Sequence, residues 1–376
     1  MEAIQSTTVA DRSWQRFIPL TVLTVGAMVT TYVYLNSLTT TAEKWSNPQY
    51  SHGYLIPAFA IALLWFRRDS YWRDVVEVQI TGAAMFVIGA IAAAIAYNSS
   101  LDLWAIGVPL MVGGGVLVAA GGMPLKEEEI SASAVWTGVG LIALSTIFRL
   151  GSAYYAKPIP DMVSFVPCLL GVFLLAGSWK LLEWSWPAIL FLLFMYPLPD
   201  FVERGLLDPL QKIATQGSTF ALQTLGLAAF SEGNRITITA DGGDVQMGVV
   251  DACSGLRMLT IFFALATALT LVTDRPIWER LAIIASALPI AVVVNIIRIT
   301  VTGILHYSVG DEIANKVFHD LAGWVMMPLA LGFLYIELQI FTHLFVEDSA
   351  VVPMPLVRPG QGKKPTAQGS PQAPPA

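Results

Sequence analysis

Apolar runs of about 20 residues return along nearly the whole length of this chain, each bounded by charged or turn-forming residues. They lie at roughly 18–38, 54–66, 79–97, 101–122, 132–148, 161–179, 184–198, 256–273, 281–304 and 322–346. A helix of that length crosses the ~30 Å hydrocarbon of a bilayer, and a helix satisfies its own peptide groups where no water can. The second and seventh runs are short, and the seventh ends at "YPLP", where two prolines stop a helix. The expected fold is an all-α integral membrane helical bundle of about 8–10 transmembrane helices. Composition agrees: 55% of residues are hydrophobic and 13% charged, about half the charge of an ordinary soluble domain. No single soluble core accommodates such a chain.

Basic residues in the short loops set the orientation. With the N-terminus inside, the inner loops and tail collect Arg12, Arg16, Arg67, Arg68, Arg73, Lys126, Lys180, Arg275, Arg280, Arg358, Lys363 and Lys364. The outer short loops then hold Lys44, Arg149, Lys157 and Lys316. Both termini are therefore expected in the cytoplasm, in a cell's inner (cytoplasmic) membrane. The first run lacks a small-residue cleavage site and reads as a retained signal anchor. Residues 1–348 form the expected membrane domain. Within it, 199–252 is a long extracytoplasmic loop. Its first part has apolar residues at helical spacing that suit an interface, and "RITITADGGDVQMGVV" reads as a short β-hairpin around a glycine-rich turn. Residues 349–376, rich in Pro, Gly, Gln and Ala, read as a disordered cytoplasmic tail. Membrane lipids are the expected surroundings; no nucleic-acid partner is expected.

Two cysteines cannot make a disulfide framework, and no CxxC or Cys/His cluster points to a metal, so no cofactor is expected. Cys168, in "FVPCLLGVF", reads as a small buried hydrophobe. Cys253 does not. It has Asp251, Ser254 and Arg257 around it and sits at the start of a helix, where the dipole and nearby cations lower a thiol's pKa. On the topology above, Cys253, Arg298 and His319 come to one depth on the outer face, each from a different span. Asn295 lies three residues before Arg298, on the same helix face. Each has a bland alternative: a packed thiol, a snorkelling arginine, a capping histidine. Together they suit acyl transfer through a thiolate. Cys253 attacks a peptide carbonyl, His319 takes the thiol proton and hands it to the leaving amine, and Arg298 steadies the oxyanion or the substrate. Water or an amine then resolves the thioester, and the residues leave that choice open. Arg257, one turn after Cys253, depresses the thiol pKa or pairs with Asp251. Asp320 reads as a helix cap, and His306 and His343 as structural. His52 reads as packing or loop structure, with contact to substrate or lipid headgroups as its alternative.

"DACSGLR", "NIIRI" and "HDLAGW", with "YSHGYLIP" and "FMYPLP" upstream, resemble in kind and order the motifs of the exosortase/archaeosortase family of multi-pass membrane cysteine transpeptidases. The resemblance spans about residues 45–345. It implies Cys253 as nucleophile, His319 as acid/base and Arg298 as the orienting or transition-state group, with Ser254, Arg257, Asn295 and His52 in support. It also implies the substrates: exported proteins whose C-terminal sorting signal joins a short Pro-containing motif (PEP-CTERM-like), a hydrophobic helix and a basic cluster. Such a signal would bring its scissile bond to the outer face. Two other classes stay open on sequence alone: a multi-pass transporter, and a non-catalytic partner in exopolysaccharide export.

Overall fold

The structure, a computed structural model, describes residues 17–98, 102–125, 130–239, 244–248, 255–273 and 275–309, and 332, 333, 335–337, 339 and 340 near the C-terminal end. Most of its helices fall on the apolar runs, while Leu35–Trp45 largely follows the first run and Asp200–Thr224 lies in the long loop. They are α1 (Ile18–Val33), α2 (Leu35–Trp45), α3 (Ile56–Phe66), α4 (Val76–Asn98), α5 (Trp104–Ala120), α6 (Ala132–Tyr155), α7 (Pro158–Phe191), α8 (Asp200–Thr224), α9 (Gly255–Val272) and α10 (Ile277–Val309). Among the described residues four helices are long and apolar enough to cross a membrane, or five if α1 and α2, bent by 69°, count as one span. Trp104–Ala120 and Leu259–Val272 are shorter apolar helices. Ile80, Val87, Ile88 and Ile91 on α4, and Trp136, Ile147 and Leu150 on α6, are exposed. Faces that greasy have lipid as their natural solvent, so the chain is an integral membrane protein. Glycine brings α4 against α5: a Cβ on Gly82 would sit 2.9 Å from the Gly114 carbonyl oxygen, and one on Gly114 would sit 2.5 Å from the Phe86 amide nitrogen.

The sixth and seventh apolar runs become α7 and a following 3-10 turn, Leu192–Met195. At ~1.5 Å per residue, the 38 residues of Pro158–Met195 would make a straight helix ~57 Å long, nearly twice the hydrocarbon thickness. The helix does not run straight. Gly177 (φ −155°) and Ser178 (φ 64°) leave helical geometry, and the chain turns back there. Phe165 packs edge-on to Tyr34, with ring centroids 5.4 Å apart, while the Met195 carbonyl accepts a 2.8 Å hydrogen bond from the Trp45 indole. Tyr34 and Trp45 are separated only by α2, ~16 Å long. Both ends of the run thus lie at one end of the bundle, near His52. The break lies at the other, where Arg67 donates to the carbonyls of Trp184 and Glu183 and the Trp184 indole donates to the Leu64 carbonyl. That second end also holds a small antiparallel pairing of β1 (Trp72–Asp74) with β2 (Gly122–Pro124), which the sequence reading did not anticipate. Arg67, Arg68, Arg73 and Lys180, grouped above on charge, share it. The first end gathers a different polar set. Tyr34 hydrogen-bonds Ser145 and Ser164, and Arg149 lies 4.3 Å over the Tyr34 ring while pairing with Asp161 at 2.9 Å.

The long loop is a folded cap. After α8 come β3 (Ala229–Glu232), β4 (Arg235–Ile238) and β5 (Val245–Gly248), ordered β3–β4–β5 and antiparallel throughout. The expected hairpin is β4–β5, with Ile236 opposite Met247; β3 extends it. Ala214 and Leu222 of α8, Ile236, Ile238 and Met247 of the sheet, and Ile299 of α10 form one buried cluster. A second cluster joins α9 to α10 through Phe262, Ala266, Ile283, Ala287 and Val294. Part of the last apolar run lies beside α10, where Ser286 donates to the Glu337 carboxylate at 2.6 Å. The 349–376 tail lies outside the described residues.

Candidate functional site

Helix α10 carries the first two site residues. Its 33 residues span ~50 Å, so it overshoots the hydrocarbon and continues into the cap. Arg298 lies 21 residues after Ile277, about 32 Å along the axis, where a membrane-length helix is running out. Asn295 is 3% exposed and Arg298 7% exposed, on one face as their spacing requires, with Thr302 one turn further on. The Thr302 hydroxyl donates to the Arg298 carbonyl at 2.9 Å. A guanidinium so buried is not snorkelling to headgroups. It sits at the boundary between spanning helix and cap, beside Ile299, which is wholly buried against the cap.

Helix α8 closes over this part of α10 with a polar face that the sequence reading missed. Gln211, Thr215, Ser218 and Thr219 are all buried, at i, i+4, i+7 and i+8. The Ser218 hydroxyl donates to the Ile296 carbonyl at 3.3 Å, and Asn234, in the β3–β4 turn, donates to Gln211 at 2.8 Å. The signal was weak, because polar residues occur on several faces of this mixed helix and the buried ones do not stand out.

Helix α9 begins at Gly255, two residues past Cys253, and its link to α10 is short enough to force antiparallel neighbours. Gly255 lies 17 residues, or ~25 Å, from the end of α9, so the start of α9 and Arg298 fall within about one helical turn of the same level. Cys253, Ser254 and His319, with Asp251 and Asp320, lie outside the described residues, as does the side chain of Arg257.

His52 is described, and it is 6% exposed, inside the protein. It lies in the 3-10 turn Pro48–Tyr54, held by contacts that join two of the upstream motifs. The Trp45 indole crosses this turn so closely that a Cβ on Gly53 would sit 2.2 Å from its nitrogen. The same N–H reaches the Met195 carbonyl, in "FMYPLP". Tyr50 donates to Glu203 of α8 at 2.8 Å. His52 also lines a cavity of about 140 Å³ between α3, α7 and α9, whose remaining lining is apolar. No group of three or more His, Cys, Asp or Glu able to hold a metal occurs among the described residues.

No curated protein and no solved structure matches this chain. A family model described as transmembrane exosortase matches residues 45–128 and 124–336, covering every motif singled out above. An apolar bundle and a match over most of the chain converge on one assignment: this protein belongs to the transmembrane exosortase family, a family of cysteine-type transpeptidases.

Proposed function

We propose that the protein is a membrane-embedded cysteine protease/transpeptidase that cleaves C-terminal sorting signals (PEP-CTERM-like) of exported proteins at the outer membrane–water interface. Cys253 is the nucleophile. Its sulfur attacks the scissile carbonyl while His319 accepts the thiol proton. The C–N bond then breaks, the released amine takes that proton, and a thioester remains for water or an amine to resolve. Arg298 orients the carbonyl or balances the oxyanion, since a guanidinium stays charged throughout. Asn295 supports Arg298 from the same face; Arg257 and Ser254 flank the thiol; His52 supports the site by packing beside it. The cap, residues 199–252, and the site lie outside, and both termini lie in the cytoplasm.

One observation carries this reading: Arg298 and Asn295 are buried together at the level where α9, the helix that follows Cys253, begins. Intramembrane ionisable groups turned into a bundle mark function far more often than structure. The test is co-expression with a protein bearing a sorting signal. Cys253→Ala and Cys253→Ser should abolish processing while Cys168→Ser leaves it intact, and mass spectrometry of the new C-terminus should locate the cleaved bond. Full processing by Cys253→Ala would overturn the assignment.

A further inference from the structure

The cavity beside His52 is small and almost wholly apolar. Its floor and walls come from three elements, through Phe59 of α3, Phe191 of α7, and Phe262, Ala264 and Ala268 of α9. Among the described residues, His52 is the one polar residue lining it. Phe59 is 44% exposed, so the mouth opens on the lipid-facing side of α3. At about 140 Å³ it is far below the ~300–1,000 Å³ of a site for a drug-sized molecule, and close to the ~150 Å³ apolar cavity that holds one benzene. The space therefore suits one large apolar side chain. Its inner wall is α9 between Ile261 and Ala268, beginning about 9 Å along the helix from Gly255, which follows Cys253 by two residues in sequence.

We infer that this cavity is a specificity subsite: it takes one large apolar side chain of the substrate peptide, from the segment entering the bilayer beside the cleaved bond. The inference rests on the function proposed above. It goes further by placing a substrate residue against named residues. A peptide side chain is favoured over a lipid tail because the space has the volume of a single ring and is walled by α9, the helix that follows Cys253 in the chain. The small residues Ala264 and Ala268 leave room that a bulkier side chain would close.

The experiment uses the full-length protein in membranes and a set of sorting-signal reporters. Each carries Ala, Leu, Phe or Trp at one of the first positions of its hydrophobic segment. At one position, wild type should process the Leu or Phe reporter about 10- to 200-fold more efficiently than the Ala reporter, the usual discrimination of an apolar pocket. Ala264→Leu, which fills the space, should erase that preference. Phe59→Ala, at a half-exposed position that folding tolerates, should shift the preference towards Trp. Processing that is indifferent to reporter residue at every position, in wild type and Phe59→Ala alike, would overturn the subsite. So would variants that slow all reporters equally, the behaviour expected of a lipid-filled space. Absence of any Cys253-dependent processing by wild type would instead refute the underlying enzymatic reading, and the subsite with it.

Discussion

Gly53→Ala is the smallest change that should disturb the assembly around His52. The added methyl would lie 2.2 Å from the Trp45 indole nitrogen and 2.3 Å from its neighbouring ring carbon, so the ring has to move. Two losses follow. Overpacking a tight contact costs about 1–3 kcal/mol. The displaced indole also gives up its 2.8 Å bond to the Met195 carbonyl, worth about 0.5–1.5 kcal/mol net. A destabilisation of about 2–4 kcal/mol is expected, read as a lower melting temperature in detergent by tryptophan fluorescence. Trp45→Ala supplies the control. With no indole to meet, Gly53→Ala should be much milder in that background, giving a coupling of about 1–3 kcal/mol between the two sites. A near-neutral Gly53→Ala, or one equally harmful with and without Trp45, would refute the contact. Because this contact ties "YSHGYLIP" to "FMYPLP" beside α9, reporter processing should fall along with stability.

Arg298→Lys should lose at least about 100-fold in processing, because a point charge on a flexible stem cannot reproduce the fork of a guanidinium; folding should be measured in parallel by detergent melting. Ser178→Gly should raise the melting temperature by the equivalent of about 1 kcal/mol or more, since Ser178 at φ 64° and ψ −167° occupies backbone space that favours glycine. Tyr34→Phe should cost about 0.5–1.5 kcal/mol by removing the partner it gives Ser145, while Ser164 keeps its bond to the Asp161 carbonyl; the same melting assay reads it.

What the sequence disclosed, and what it hid, divides along physical lines. Spans announced themselves, because ~20 apolar residues admit few alternatives. The β4–β5 hairpin was legible from alternation around a glycine turn. Asn295 and Arg298 were legible because polarity inside an apolar run stands out. The turn at Gly177–Ser178 showed only as a gap between two runs; that the gap reverses α7 follows from contacts to Tyr34, Arg67 and Trp45, which are remote in sequence. The pairing of β1 with β2 rests on three residue pairs far apart in the chain, too few to leave a pattern. His52 was the instructive case. A lone histidine after "NPQYS" does not reveal whether it faces water, lipid or protein, and only α9 packing behind it makes it an interior residue.

The cap answers a physical problem set by α10. A helix that must hold Arg298 at the edge of the hydrocarbon cannot leave it facing lipid, where a guanidinium costs several kcal/mol, nor fully in water, where its field on a substrate would be weak. Extending α10 about 16 Å past Arg298 gives a post on which α8 and the sheet pack, through Ile299 and Leu222. The cap's buried polar residues Gln211, Thr215 and Ser218 then share a face that meets α10 through the Ser218 bond to the Ile296 carbonyl. Arg298 is thereby withdrawn from both solvents without entering the apolar core. On this reasoning the cap is part of the site: weakening its core at Ile236 or Ile238 should reduce processing. A variant such as Ile238→Ala, expected to cost about 2–5 kcal/mol as a buried large-to-small change, should lose processing at temperatures where the α9–α10 bundle still resists proteolysis. Retained processing with a demonstrably melted cap would separate the two and refute that reasoning.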